Sequence, residues 1–203
     1  NPGAWYEPEE GCVYMLYRAA GDDLAHRIHL GLAVSADGLR FERASVSPVL
    51  SPSEDNWDAG CVEDPRIVKM GEWYIVTYAS RPFPPGQYWK PENAGPWKPS
   101  NPSEHFPWLL RENATSTGLA FTRDFRTWIR AGRMTNPTVD DRDVILFPEK
   151  IGGRYAMIHR PMGWVGPEYG TEYPAIWIAF SNDLLYWTDS TLLARAELPW
   201  ENN

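Results

Sequence analysis

Leu32-Ala33-Val34-Ser35-Ala36-Asp37, with Phe41 four residues after the Asp, recurs twice further along the chain. The second copy is Leu119-Ala120-Phe121-Thr122-Arg123-Asp124 with Trp128, and the third is Ile178-Ala179-Phe180-Ser181-Asn182-Asp183 with Trp187. In each copy an apolar strand runs into a Ser or Thr, an Asp can cap the turn with its side chain, and an aromatic ring follows. A second element precedes each copy: Val13-Tyr14-Met15-Leu16-Tyr17-Arg18, Trp73-Tyr74-Ile75-Val76-Thr77-Tyr78 and Arg154-Tyr155-Ala156-Met157-Ile158-His159. Ile28, Leu30, Leu32 and Val34 alternate along one strand face, as do Ile176, Ile178 and Phe180, and no stretch carries a helical period with caps at both ends. The chain reads as all-β.

The repeat also sets the unit. Ala120 and Ala179 are 59 residues apart, whereas Ala33 and Ala120 are 87 apart. The surplus falls in a Pro- and Trp-rich insert, about 82–113, flanked by Arg81-Pro82-Phe83-Pro84-Pro85 and holding Gly95-Pro96-Trp97-Lys98-Pro99. A loop of that length points to a lid or rim beside a site. Units of this size with several short strands suit propeller blades, and rings run from four blades upward. A five-bladed ring at this spacing needs about 295 residues, so 1–203 is expected to be a single, incomplete propeller of about three blades. The opening Asn1-Pro2-Gly3 lacks a Met, and a native start is expected before it.

Composition narrows the function. With 19 basic against 27 acidic residues, the net charge of −8 argues against a binder of phosphate backbones. No apolar run reaches the roughly 18 residues of a membrane span. Cys12 and Cys61 are a lone pair without metal-ligand spacing; they read as free thiols, with a single bridge left open. The 11 Trp, 10 Tyr and 7 Phe suit a sugar-binding surface as well as a core. His26 and His29 fall on opposite faces if they share a strand, which disfavours a joint metal site.

Two segments concentrate charge. In Gly60-Cys61-Val62-Glu63-Asp64-Pro65-Arg66-Ile67, two carboxylates and a guanidinium stand at the mouth of a strand. They serve either as an Asp64–Arg66 ion pair closing a turn or as a functional carboxylate near a propeller axis. In Asp140-Asp141-Arg142-Asp143-Val144-Ile145-Leu146-Phe147-Pro148-Glu149-Lys150-Ile151, followed by His159-Arg160-Pro161, a hairpin would bring Arg142 and Arg160 to one end. Two guanidiniums so placed would grip a phosphate or carboxylate; the alternative is salt bridges to Asp141 or Glu149.

These motifs, together with Asn1-Pro2-Gly3, Leu16-Tyr17-Arg18 and Ser181-Asn182-Asp183-Leu184, resemble those of glycoside hydrolase family 130 over nearly the whole chain except the insert. That family comprises β-mannoside phosphorylases and some β-mannosidases on a five-bladed propeller. The resemblance implies that Asp64 is the catalytic acid of an inverting reaction, and that Arg142 and Arg160, with His159 beside them, hold the attacking phosphate. It implies further that Asn1, Arg18, Glu63, Arg66 and Asp143 line the sugar site. Phosphate already carries charge, so a cationic cradle can replace the catalytic base of a hydrolase.

Phosphorolysis of β-mannosides to mannose 1-phosphate is the leading expectation. A β-mannoside hydrolase of the same family, with Glu92, Glu104 or Glu112 as base, and a non-catalytic sugar-binding propeller are the alternatives. Arg142 stands where many members have Lys, the insert has no counterpart in the commoner pattern, and further phosphate ligands are expected after Asn203. The resemblance implies an oligosaccharide substrate, phosphate as co-substrate and no metal or organic cofactor; a homo-oligomer is compatible with it. A phosphorylase is expected to be cytoplasmic, whereas a hydrolase would also suit the periplasm or secretion. Asn113-Ala114-Thr115 is a glycosylation sequon that matters only in a secreted eukaryotic chain.

Overall fold

The computed structural model describes residues 1–93 and 103–201 and arranges them as three consecutive blades of a β-propeller. The first blade is β1 (Gly3–Glu7), β2 (Cys12–Ala20), β3 (Ile28–Ser35) and the short β4 (Glu42–Arg43). The second is β5 (Cys61–Met70), β6 (Trp73–Arg81), β7 (Ser116–Thr122) and β8 (Ile129–Arg133). The third is β9 (Asp141–Leu146), β10 (Tyr155–Pro161), β11 (Ile176–Ser181) and β12 (Trp187–Ala194). Strands within each blade pair antiparallel in chain order. The first two blades are joined by one parallel bridge between Ile28 and Cys61, while the third is a separate sheet.

The repeated motif earns its place at the turn after the third strand of each blade. The Ser35, Thr122 and Ser181 hydroxyls each accept from two backbone N–H groups of the turn. Asp37, Asp124 and Asp183 each accept two more, from residues two and three positions on. These N–H groups hold all three carboxyls below the usual carboxylate range. The residue after each Asp has positive φ: Gly38 at 73°, Phe125 at 55° and Leu184 at 69°. Glycine adopts that conformation freely, whereas Phe125 and Leu184 hold it with side chains buried in the cores between blades.

Those cores explain why the middle blade is apolar on both faces. Along β6, Tyr74, Val76 and Tyr78 face the first blade beside Leu16, Leu32 and Leu30. Ile75 faces the third blade, packed with Val144, Leu146 and Met157. Period-two alternation therefore feeds two cores from one strand. Each fully buried side chain of this size is worth roughly 1.5–3 kcal/mol. Thr77 shares the face of Ile75, and its hydroxyl donates to the Val144 carbonyl at 2.7 Å; Thr117 does the same to the Asp141 carbonyl at 3.2 Å. Two threonines of the second blade thus fix the inner strand of the third.

Between β6 and β7 lies the insert. Among its described residues is a five-residue helix, α1 (Trp108–Glu112), which the sequence pattern did not announce. Asn113 ends the helix in the left-handed region, accepts the Phe83 N–H through its side chain at 2.9 Å, and takes Arg81 on its carbonyl at 2.8 Å. The two ends of the insert are therefore stapled together. Gly95-Pro96-Trp97-Lys98-Pro99 lies outside the described residues. Asn113 is fully buried, so the folded chain cannot present the sequon for modification. Both cysteines are free, as expected.

Candidate active site

The inner strands β1, β5 and β9 bring the charged segments together. β5 carries a bulge between Glu63 and Arg66, and Asp64 sits in it with φ 50°. β9 is irregular at the matching place: opposite the Ile158–Arg160 shift, Asp143 has φ 54°. Aspartate is among the side chains that tolerate this region, and a bulge re-aims its residue out of the strict strand alternation. Both carboxylates are thereby turned out of their sheets.

Neighbouring strands complete the arrangement around Asp64. Gly3 passes so close to the bulge that a Cβ there would lie 2.5 Å from the Pro65 carbonyl oxygen, so only glycine lets β1 approach. That approach sets Asn1, whose amide donates to Asp64 Oδ2 at 3.1 Å. Arg18, on β2, donates through one nitrogen to both Glu63 Oε2 at 2.8 Å and Asp64 Oδ1 at 3.1 Å. Arg66 forms no ion pair with the Asp64 carboxylate; it donates to the carbonyls of Asp64 and Pro65 at 3.2 and 3.1 Å. Its other terminal nitrogen lies 3.9 Å from Asp143 on the third blade. Burial is the largest cause, with the Asp64 charge second, of a Glu63 carboxyl held above the usual carboxylate range.

On the third blade, Arg142 and Arg160 are direct cross-strand partners. Arg160 donates to Asp143 Oδ2 at 3.1 and 2.7 Å. Arg142 grips Asp140 with two bonds of 2.6 and 2.7 Å, and this pairing raises the pKa of its guanidinium. The carboxylates that pair with them are thus Asp140 and Asp143, where the sequence suggested Asp141 or Glu149. Asp140 is the residue that sequence reasoning missed, although its position two before Arg142 places it on the same side of an extended chain.

Eight of the nine expected site residues thus form one connected group: Asn1, Arg18, Glu63, Asp64 and Arg66, then Asp143, Arg142 and Arg160. The ninth, His159, lies apart. Its side chain is 4% exposed, its Nδ1 is 2.8 Å from Asp141 Oδ2, and its ring meets Trp164 edge-on at 5.6 Å. Alternation on β10 puts it on the face opposite Arg160. The proposed bases of a hydrolase differ in setting: Glu92 and Glu104 are exposed in the insert, and Glu112 ends α1. His26 falls outside β3, with positive φ and its ring against Trp89 at 4.4 Å, while His29 bonds Ser51. Among the described residues no cluster of His, Cys, Asp or Glu could hold a metal ion. A carboxylate, a guanidinium shared between two carboxylates, and a cross-strand pair of arginines can together protonate a leaving group and hold an anion.

Residues 1–86 match the family model Glyco_hydro_130, described as beta-1,4-mannooligosaccharide phosphorylase. A 1,2-beta-oligomannan phosphorylase of Thermoanaerobacter sp. (strain X514) is 31% identical over all of this chain and 56% of its own length. A beta-1,4-mannooligosaccharide phosphorylase of Ruminococcus albus is 25% identical over 97% of this chain and 49% of its own. The chain therefore spans about half the length of these curated relatives. Among solved structures, a complex of beta-1,2-mannobiose phosphorylase from Listeria innocua aligns with 95% of this chain and 57% of its own, at a TM-score of 0.65 and 21% identity. That likeness bears on the fold alone, which is the propeller.

Proposed function

We propose, on the premise that this chain is recognised as one of glycoside hydrolase family 130, that it forms much of the active site of an inverting β-mannoside phosphorylase. Asp64 gives its proton towards the glycosidic oxygen, the C1–O bond breaks, and an oxygen of inorganic phosphate bonds to C1 from the opposite face, giving mannose 1-phosphate. The observation that carries this reading is the Arg142–Arg160 cross-strand pair, with Arg142 on the inner strand beside that of Asp64 and Arg66 reaching from one inner strand to the other.

Arg18 has a part in the proton step. A mannose hydroxyl that takes over the contact with Asp64 leaves Arg18 paired with Glu63, so no charge is stranded. On the other face, Arg142 and Arg160 stabilise the charge shared between phosphate and an oxocarbenium-like sugar. Phosphate must displace Asp140 and Asp143 from these guanidiniums, at least in part. No metal or organic cofactor enters this reading. No helix among the described residues is long and apolar enough to cross a membrane, and a cytoplasmic setting suits an enzyme that consumes phosphate.

Hydrolysis is the second reading, and Asp140 is the observation that favours it. A guanidinium already gripped by two bonds from a carboxylate is a weakened anion site. The test is to incubate the full-length protein that carries these residues with β-1,2- and β-1,4-mannobiose, with and without inorganic phosphate. Mannose 1-phosphate formed only with phosphate is the expected product. Free mannose at equal rates in both would replace phosphorolysis by hydrolysis, and no product from either disaccharide would remove the mannoside assignment.

A further inference from the structure

Part of the insert is held against the site far more firmly than a connecting loop requires. Gly86 N–H donates to the Ala25 carbonyl at 3.0 Å. Gln87, 3% exposed, donates to the carbonyls of Asp22 and Asp23 at 3.2 and 3.1 Å and accepts from Asn93 at 3.0 Å. A buried amide with its bonds made fixes a loop, because each bond would be costly to leave unmade. The loop so pinned presents Tyr88 and Trp89, 57% and 48% exposed, with their rings edge-on at 5.3 Å. Trp89 packs its ring on His26, whereas Tyr88 is left more than half open to water, a display with no return in folding free energy.

Tyr88 overhangs a cavity of about 250 Å³ whose other walls are Ile28, Glu63, Arg81 and Pro85. This cavity adjoins the catalytic carboxylate, since Glu63 precedes Asp64 and shares Arg18 with it. Its chemistry selects a class of ligand. One carboxylate and one guanidinium stand at its wall beside an aromatic ring and a proline. A carboxylate repels an anion and a guanidinium repels a cation, whereas neutral hydroxyls can donate to the first and accept from the second. An aromatic ring beside them accepts the C–H face of a pyranose.

We propose that this cavity is the subsite for the sugar unit on the far side of the bond to be cleaved, with Tyr88 as the residue that determines which acceptor is taken. The proposal rests on the mannoside reading of the site and adds to it the residues that hold the leaving sugar. Glu63 and Arg81 bond its hydroxyls; the insert supplies the platform.

The synthetic direction tests it, with the full-length protein, mannose 1-phosphate as donor and mannose, glucose or N-acetylglucosamine as acceptor. Tyr88→Ala is expected to raise KM for the preferred acceptor about tenfold, leave KM for mannose 1-phosphate unchanged and alter the ranking of acceptors. Tyr88→Phe, which keeps the ring, is expected to behave as the parent does. An unchanged acceptor KM in Tyr88→Ala, or an equal rise for both substrates, overturns the proposal. Calorimetric binding of β-1,2- and β-1,4-mannobiose separates the subsite from the reaction. Binding weakened about tenfold in Tyr88→Ala but not in Tyr88→Phe upholds the subsite even if no turnover is found. A parent protein that binds neither disaccharide, or a Tyr88→Ala variant that binds as well as the parent, overturns it.

Discussion

Asp37, Asp124 and Asp183 close the turns of the three blades, while Asp64 and Asp143 stand on the inner strands, and the two sets use the same side chain in opposite ways. Each turn carboxylate accepts from N–H groups within three residues of itself. Each inner-strand carboxylate depends on groups from other strands: Arg18 and Asn1 for Asp64, Arg160 and Arg66 for Asp143. Backbone conformation divides the same way. In the turns the positive φ falls on the residue after the Asp, which can be buried to hold it; on the inner strands it falls on the Asp itself. A carboxylate satisfied by its own backbone is finished business and can be copied from blade to blade. One satisfied by side chains from elsewhere in the chain can exchange them for a ligand, which is what a reacting site needs.

The contrast can be broken by substitution. Asp64→Asn should lower turnover of a β-mannoside on the order of 10³-fold, with little change in melting temperature, because it removes the proposed proton donor from a partly open position. Turnover that survives would put Asp64 with the turn aspartates as a structural group. Phe125→Ala should do the reverse, destabilising the fold by about 3–5 kcal/mol in urea titration, since it empties a buried site among Tyr14, Tyr74 and Trp128. A much smaller loss would mean that release of the positive φ offsets the lost packing.

Asp124→Ala should cost about 1 kcal/mol, the scale of a lost side-chain cap. Because the Asp124 carboxyl is held below its unfolded value, its contribution is present above roughly pH 4 and fades as the pH falls through the lowered folded pKa. The difference between parent and variant should therefore shrink in acid, as urea midpoints at pH 6 and pH 3 would reveal. Glu63→Gln has the smallest expected effect and the opposite sign. Its carboxyl is held above the usual range, so the charged form is a cost that appears as pH rises through the unfolded value near 4.3. The variant should be more stable than the parent at pH 7 and equal to it near pH 4; equal stability at both would mean that Arg18 fully offsets burial.

How far each feature could be read beforehand follows the same division. The three turns were legible because each is closed by residues adjacent in sequence, and Arg142 opposite Arg160 was legible because a hairpin has a fixed register. Ion-pair partners were not. Asp64 looked like the partner of Arg66, yet the bulge turns its carboxylate to the first blade and leaves Arg66 on backbone carbonyls. One extra residue in a strand reverses the parity on which such readings rest. His159 was grouped with Arg160 as its neighbour in sequence, but neighbours on a strand face opposite ways. The anchoring of Gln87 joins residues more than sixty positions apart and leaves no local trace.

Asn113 bears on how this protein can be made. Its side chain is wrapped inside the insert, yet Asn113-Ala114-Thr115 is a legible acceptor while the chain is still unfolded. In a eukaryotic secretory host, sugar transfer would compete with folding, and a glycan on Asn113 would block the bond to the Phe83 N–H that staples the insert. Secreted material should therefore divide into a folded unmodified pool and a misfolded glycosylated one. Thr115→Val erases the signal while sparing Asn113, and the buried Thr115 hydroxyl has no partner among the described residues to lose. Its secreted yield should exceed that of the parent; equal yields would mean that the insert closes before the transferase arrives.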